Sequence, residues 1–300
     1  MDLVVKAEYL PAPGETILGG NFFMNPGGKG ANQAVAAQRL SGSVTFITKL
    51  GKDIFGNQLL ELFQKEGLNL DYVISDTNNP SGIALITVDK KGENCIVVAS
   101  GSNATFFPGD IKNAISLIEE ASVILLQLEI PLETVEFISA LAKSKGKTVI
   151  LNPAPAHQLS SAILNSVSII TPNKKEAEML SGISIEDVSS LNRVAKTIRQ
   201  KGVEKVIITL GSEGAYICTG EIELMIAAPQ VNAIDTTAAG DVFNAALAVA
   251  LSEERTLKAA VTFACYAAAL SVTKLGALTS APFRKEADTF FASRSKEETS

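Results

Sequence analysis

Tryptophan is missing from this chain of 300 residues, and histidine occurs once, as His157. A single histidine cannot build a histidine metal cage or a nucleophile–histidine–acid triad. The three cysteines, Cys95, Cys218 and Cys265, are too scattered for a zinc or redox motif, and such thiols fit a reducing cytosol. No apolar run approaches the roughly 20 residues of a membrane span. Met1-Asp2-Leu3 lacks a basic stretch followed by an apolar one, so no signal peptide is expected and the chain reads as cytoplasmic. A basic surplus is lacking as well: 26 Lys and Arg stand against 32 Asp and Glu, a net charge of −6. That argues against nucleic-acid and acidic-membrane partners. What is present is a 46% hydrophobic composition, enough for one large α/β domain or two small ones.

The chain is organised around Asp235-Thr236-Thr237-Ala238-Ala239-Gly240-Asp241, a small-residue turn opening into Val242–Leu251. Asn244 is the one polar residue of that run, which reads as a helix buried nearly all round. The free N–H groups and the dipole of such a helix favour an anion, and Ala239 and Gly240 let it come close. An anion site beside a carboxylate suits phosphoryl transfer, with Asp241 taking a proton from the attacking hydroxyl. Asp is equally at home as a plain helix cap, so the turn alone leaves both readings open. Burial would raise the Asp241 pKa and the helix N-terminus would lower it; a base must be ionised at neutral pH, so the dipole and the hydroxyl hydrogen bond are expected to win.

The first hundred residues read as β-rich, with short strands at Leu3–Val5 and Thr16–Leu18 and a hairpin of Ser81–Val88 with Glu93–Ala99 around Asp89-Lys90-Lys91-Gly92. A strand is expected over Ser43–Leu50 and a helix over Gly56–Glu66. After residue 105 short apolar strands, Ser122–Leu128, Thr148–Asn152, Ser168–Thr171 and Lys205–Leu210, alternate with helical stretches. This predicts an α/β class: a three-layer αβα body with a mostly parallel sheet. Gly214–Cys218 and Glu221–Ile226 read as an antiparallel pair at its edge, and Arg294–Ser300 as a charged, disordered tail. Ligands bind outside the C-terminal ends of parallel strands. Glu129, Asn152, Asn173, Gly211 and the Asp235 turn, which follows the short run Val231–Ile234, all fall at such ends.

The turn Gly27-Gly28-Lys29-Gly30-Ala31-Asn32 has neither the P-loop nor the dinucleotide-binding spacing. Its close-approach backbone, ammonium and amide suit the hydroxyls of a polyol, and a plain strand-to-helix turn with Lys29 in solvent is the alternative. Taken with Asp235–Asp241, it resembles the ribokinase family of sugar kinases, whose two signatures are an early Gly-Gly and a late Asp-Thr-x-x-Ala-Gly-Asp. The resemblance extends through Gly27–Ala37, Pro13–Thr16, Gln127–Glu129, Asn152–Ala156, Thr171–Asn173, Thr209–Ser212 and Thr273–Ala277, and so from residue 2 to about residue 292.

It implies ATP-dependent phosphorylation of D-ribose to ribose 5-phosphate, with Asp241 as base and Ala238, Ala239 and Gly240 as anion hole. Ala238 stands where many relatives carry Gly, and its small size implies little change. Asp2, Gly28, Lys29, Gly30, Ala31, Asn32 and Glu129 match sugar-binding positions. Asn173, Thr209, Leu210, Gly211, Ser212, Glu213 and Gly214 match the nucleotide site, with Gly240 at the phosphates and Cys265 near the adenine. Glu176 matches a position near the magnesium that travels with ATP, through water, and Glu178 a second acidic position. Asp235, Thr237, Ser271, Lys274, Gly276 and Ser280 match a potassium site built mostly of carbonyls, from which Lys274 would turn its ammonium away.

The resemblance also implies a body of residues 26–80 and 100–293 and a discontinuous β lid of residues 1–25 and 81–99, with 294–300 as the tail. One lid face, with Val4, Ile17, Phe22, Ile83, Leu85 and Val97, would stay apolar and exposed, so a homodimer through paired lids is expected. The family's first core strand, which ends in Gly-Ser-x-Asn before the position of Asp2, is expected to be missing, which would make Met1 an internal methionine of a longer chain. Alternatives are a kinase for another pentose such as deoxyribose, or a non-catalytic sugar- or nucleotide-binding relative.

Overall fold

The computed structural model describes residues 1–297. In chain order its first stretch comprises β1 (Asp2–Lys6), β2 (Phe22–Asn25), α1 (Lys29–Arg39), β3 (Thr48–Gly51), α2 (Ile54–Lys65), β4 (Val73–Asp76), β5 (Ile83–Val88) and β6 (Asn94–Ala99). Then follow α3 (Ile115–Glu120), β7 (Val123–Leu126), α4 (Leu132–Ser144), β8 (Thr148–Leu151), α5 (Ser161–Ser166), β9 (Ile169–Ile170) and α6 (Lys174–Ser181). The chain continues through α7 (Val188–Gln200), β10 (Lys205–Thr209), β11 (Ala215–Cys218), β12 (Glu223–Ile226), α8 (Ala239–Ser252), α9 (Leu257–Ser271) and α10 (Arg284–Glu297).

The apolar strands form a six-stranded sheet in the order β12-β11-β10-β9-β8-β7. β7 to β10 are parallel and the β11–β12 hairpin is antiparallel. Alternate side chains leave opposite faces of a strand. Val149, Leu151, Ile170, Val206 and Ile208 therefore enter one core, with residues of α4 to α7. Ile150, Ile169 and Ile207 enter the other, with α1, α8 and α9. Burial on both faces explains why these strands read as continuous apolar runs. β3 and β4 form a separate parallel pair, and β7 is an edge strand; among the described residues no strand joins the two sheets.

The separate small sheet has the order β2-β1-β5-β6. Its register puts Leu3, Met24, Leu85 and Val97 in one cross-strand row. Phe22, at 55% exposed, and Ile83 lie on the same face. Val4 does not: it sits one residue on, in the row with Phe23, Ile86 and Ile96. Thr16–Leu18 is not a strand. Gly20 and Asn21 bond to Lys6 and fill that edge of β1 instead, leaving Leu18 97% exposed and Ile17 outside the sheet.

Other boundaries shift for related reasons. Within Ser43–Leu50 the strand begins only at Thr48, preceded by an isolated bridge of Thr45 to Asn69. Val231–Ile234 has no ladder partner; its end is held by single bonds from Ile234 and Asp235 N–H to the Val272 carbonyl. The last helix runs to Glu297, past the point where a disordered tail was expected, and residues 298–300 lie outside the described residues. No described helix is long and apolar enough to cross a membrane.

Candidate active site

α8 begins with Ala238 in the left-handed region, φ 60°, and no side chain caps it. Asp241 lies in the first turn and is 5% exposed. It accepts from α1: Asn32 Nδ2 donates to Oδ2 at 2.9 Å and Gln33 Nε2 to Oδ1 at 2.9 Å. The alternative of a simple cap is thereby removed. Burial pushes the Asp241 carboxyl up from its ordinary value, opposed by the Lys29 ammonium and the two amides. Desolvation is the largest of these effects, and it sets a direction opposite to the one expected from the helix dipole; the substrate hydroxyl would add a further lowering hydrogen bond.

The Gly-rich turn brings three carboxylates toward the same spot. Gly28 has φ 101°, which glycine adopts freely, and the turn aims Lys29 N–H at Glu129 Oε2, 2.7 Å away. A Cβ on Gly27 would lie 2.3 Å from Asp2 Oδ2, so a larger residue there would push that carboxylate aside. Gly30 is less crowded, with Gln127 Oε1 3.2 Å from where an added Cβ would lie. Ala31 is buried in the core behind the turn. Burial raises the pKa of Asp2 and of Glu129, with the Lys29 ammonium countering both. Asn32 Oδ1 is the one buried side-chain polar atom without a partner among the described residues. A buried acceptor left open costs about 1–3 kcal/mol, which is the mark of a position awaiting a ligand donor.

A second strip lies at the ends of β9 and β10. Asn173 and Glu176 cap α6 reciprocally: Asn173 Oδ1 accepts from Glu176 N–H at 2.9 Å and Glu176 Oε2 from Asn173 N–H at 2.8 Å. Burial raises Glu176, opposed by the Asn173 N–H and Lys29, with Asp241 adding a smaller upward push. Glu178 is committed elsewhere, its Oε1 accepting from Ile185 N–H at 2.7 Å. Thr209 bridges to Asn173. Beyond Leu210 the turn Gly211-Ser212-Glu213 is exposed and ends at Gly214, where an added Cβ would lie 2.0 Å from the Ile226 carbonyl. Cys265 does not reach this strip's surface: it is buried in the α8–α9 core, and burial pushes its thiol up to about 12.

The remaining expected residues gather around the loop after α9. Asp235 Oδ1 accepts from Thr237 N–H and Oδ2 from Gly276 N–H, both at 2.9 Å, so it ties the α8 turn to that loop. Ser271 and Ser280 donate to the Ala268 and Ala277 carbonyls. Lys274 turns its ammonium to Glu286, 3.0 Å away. From the far end of α1 the Arg39 guanidinium holds the Leu278, Thr279 and Ala281 carbonyls and pairs with Glu66. Among the described residues no cluster of three or more His, Cys, Asp or Glu could hold a metal ion by itself.

Sequence reasoning missed the amides. Gln33, Gln127, Asn152, Thr171 and Asn244 form one buried hydrogen-bonded chain behind Asp241. The lone polar Asn244 in an apolar helix and Asn152 at a strand end were its local signals.

Comparison with known proteins places this geometry. Residues 1–284 match the model described as pfkB family carbohydrate kinase. The chain is 42% identical over 285 residues to a ribokinase of Haemophilus influenzae, covering 95% of this chain and 93% of that protein. Among solved structures, an Arabidopsis thaliana ribokinase complexed with ribose and ATP superposes with a TM-score of 0.91 at 32% identity, covering 96% and 95% of the two chains. A ribokinase from Thermotoga maritima gives 0.89 at 37% identity, covering 97% and 96%.

Proposed function

The chain belongs to the pfkB family of carbohydrate kinases, and on that premise we propose that it transfers the γ-phosphoryl of ATP to D-ribose, giving ribose 5-phosphate and ADP. The observation that carries the reading is the Asp241 carboxylate, buried beside an uncapped helix start and held by two amides of the Gly-rich helix.

Asp2, Lys29, Asn32 and Glu129 bind the sugar with the backbone of Gly28, Gly30 and Ala31. The open Asn32 Oδ1 takes a sugar hydroxyl. Asp241 accepts the proton of the attacking hydroxyl as its oxygen bonds to the γ-phosphorus and the bond to ADP breaks. The N–H groups of Ala238, Ala239 and Gly240 meet charge gathering on the phosphoryl oxygens. ATP lies along Asn173 and Thr209–Gly214. Magnesium is usually held by one or two carboxylates plus substrate phosphates, and the single carboxylate of Glu176 fits that pattern through water. Its charge neutralises phosphate when bound. A potassium ion fits the loop formed by Asp235, Thr237, Ser271, Lys274, Gly276 and Ser280. There the acid, the hydroxyls and the ammonium have other partners, so carbonyl oxygens supply the coordination.

Lids of residues 1–25 and 81–99 cover the sugar and exclude water, and two chains pair through their outward faces. The test is ADP release by the purified protein against a panel of ribose, 2-deoxyribose, other pentoses and no sugar. Ribose-dependent turnover well above every other sugar is expected. Equal ADP release with and without sugar would reject the reading.

A further inference from the structure

The two donors on Asp241 are not equivalent. Gln33 is 2% exposed and its amide is engaged at both ends. Nε2 donates to Asp241 Oδ1 at 2.9 Å and to Asn152 Oδ1 at 3.2 Å, while Oε1 accepts from Gln127 Nε2. Turning this amide over would press its oxygen against the carboxylate and set Gln127 and Gln33 donor to donor. Gln33 therefore has one arrangement. The chain continues from Asn152 Nδ2 to the Thr171 carbonyl at 3.3 Å, from Thr171 Oγ1 to Asn244 Oδ1 at 2.6 Å, and from Asn244 Nδ2 to the Gly240 carbonyl at 2.8 Å. One buried network thus grips both the Asp241 carboxylate and the carbonyl of the residue before it.

Asn32 is different. It gives Nδ2 to Asp241 Oδ2, and its own Oδ1 has no partner. It makes a single hydrogen bond to the carboxylate from an amide whose other end is open, so it can change partners when a hydroxyl arrives.

We propose that Gln33 is a positioning residue that locks Oδ1 of Asp241, leaving Oδ2 as the oxygen that takes the proton, with Asn32 releasing it to the substrate hydroxyl. This rests on the kinase reading above. The proton moves from the attacking hydroxyl to Oδ2, the hydroxyl oxygen bonds to the γ-phosphorus, and the bond from that phosphorus to the ADP oxygen breaks, so that ADP leaves with its electron pair. Gln33 never touches the sugar; it acts by fixing the direction of the base, and misplacing a reacting group by about 1 Å can cost about 100-fold in rate.

The charged groups facing Asp241 are Lys29 of α1, Asp2 of β1, Glu129 after β7 and Glu176 of α6. None changes in Gln33→Met, which keeps the length of the side chain and removes the donor. With the N–H gone the carboxylate is less favoured, so its pKa rises and the acid limb of the kcat profile moves to higher pH.

The experiment pairs steady-state kinetics with a ¹³C NMR titration of Asp241, assigned by its loss in Asp241→Asn. In Gln33→Met, kcat is expected to fall about 10- to 100-fold, with the ribose KM nearly unchanged and the Asp241 titration moved to higher pH. In Asn32→Ala the ribose KM is expected to rise more than kcat falls. Gln33→Glu, of the same shape but an acceptor when ionised, should raise the titration further. An unmoved titration with a wild-type kcat in Gln33→Met overturns the lock, as does a fall in kcat and melting temperature with the titration unmoved, which is a packing role. If the wild-type protein turns over no sugar, the kinase reading fails, while the titration still decides whether Gln33 holds Asp241.

Discussion

At the scale of single residues, Asp241 and Ala238 carry opposite lessons. Asp241→Asn removes the acceptor of the proton while keeping the side chain's size. Its kcat is expected to fall by about 100-fold or more, as general-base catalysis is worth that order, with little change in ribose affinity measured by calorimetry. A near-normal kcat would return Asp241 to a structural role. Because burial raises the Asp241 pKa, activity should be lost as pH falls through that raised value, earlier than for an exposed Asp. Ala238 was expected to change little on grounds of size, and size is not what matters there: its φ of 60° is. The left-handed region costs an L residue about 1–2 kcal/mol. Glycine relieves this and gives back roughly 0.4–1 kcal/mol through its freer unfolded chain. Ala238→Gly is therefore expected to stabilise the fold by about 0.5–1 kcal/mol, read as a higher urea midpoint at constant slope; a lower midpoint would refute the strain. Charges, glycines and lone carboxylates were legible in the sequence because each is locally out of place. The link from Gln33 through Asn152 to Asn244 was not, because an amide is ordinary until its partners are known, and Gln33 meets Asp241 from 208 residues away and Asn244 meets Thr171 from 73.

At the scale of elements, the root of the small sheet is the informative place. Pro80–Gly82 threads between Gly51, Gly56 and Gly101, where added Cβ atoms on Gly51 and Gly101 would come within 2.2 Å of Ser81 N and Pro80 O. Asp53 caps α2 through Gly56 N–H and also accepts from the N–H and hydroxyl of Ser81, joining helix to sheet. Burial pushes the Asp53 carboxyl up, but these donors outweigh it and hold it low. Asp76 accepts from Asn78 N–H, Asn79 and Thr105, and these bonds, the Asn78 N–H foremost, hold its carboxyl well below the usual range. A carboxyl depressed in the folded state contributes stability above its unfolded pKa, about 3.9, and loses it as pH falls toward the folded value. The melting temperature is thus expected to drop on acidification below about pH 4, and Asp76→Asn to flatten that drop. Parallel melting curves for the two proteins from neutral to acid pH would refute the assignment. Apolar strands and the hairpin around Asp89–Gly92 were legible because pattern and turn chemistry are local. Thr16–Leu18 and Val231–Ile234 carried a similar signal without a strand to pair with, and pairing is not written in a run of three or four residues.

At the scale of the whole molecule, the outward face of the small sheet exposes Phe22, Met24, Leu85 and Val97, the last at 61%. On the dimer proposed above, this face would be the pairing surface. Leu85→Lys with Val97→Lys is expected to convert a dimer to a monomer in sedimentation velocity at an unchanged melting temperature of the isolated chain; a wild-type protein that sediments as a monomer at micromolar concentration would sink the dimer. The base and its holders also meet across the molecule: Gln33 and Asp241 are 208 residues apart in the chain. On a ribosome adding about 5–20 residues each second, the Gly-rich turn emerges roughly 10–40 s before the carboxylate it must hold exists. Through that interval a nascent chain carries its Gly-rich turn, and from residue 176 onward the cap of α6, but not the proposed base. If Asp241 is the base proposed above, a product stalled before residue 241 is silent toward ATP.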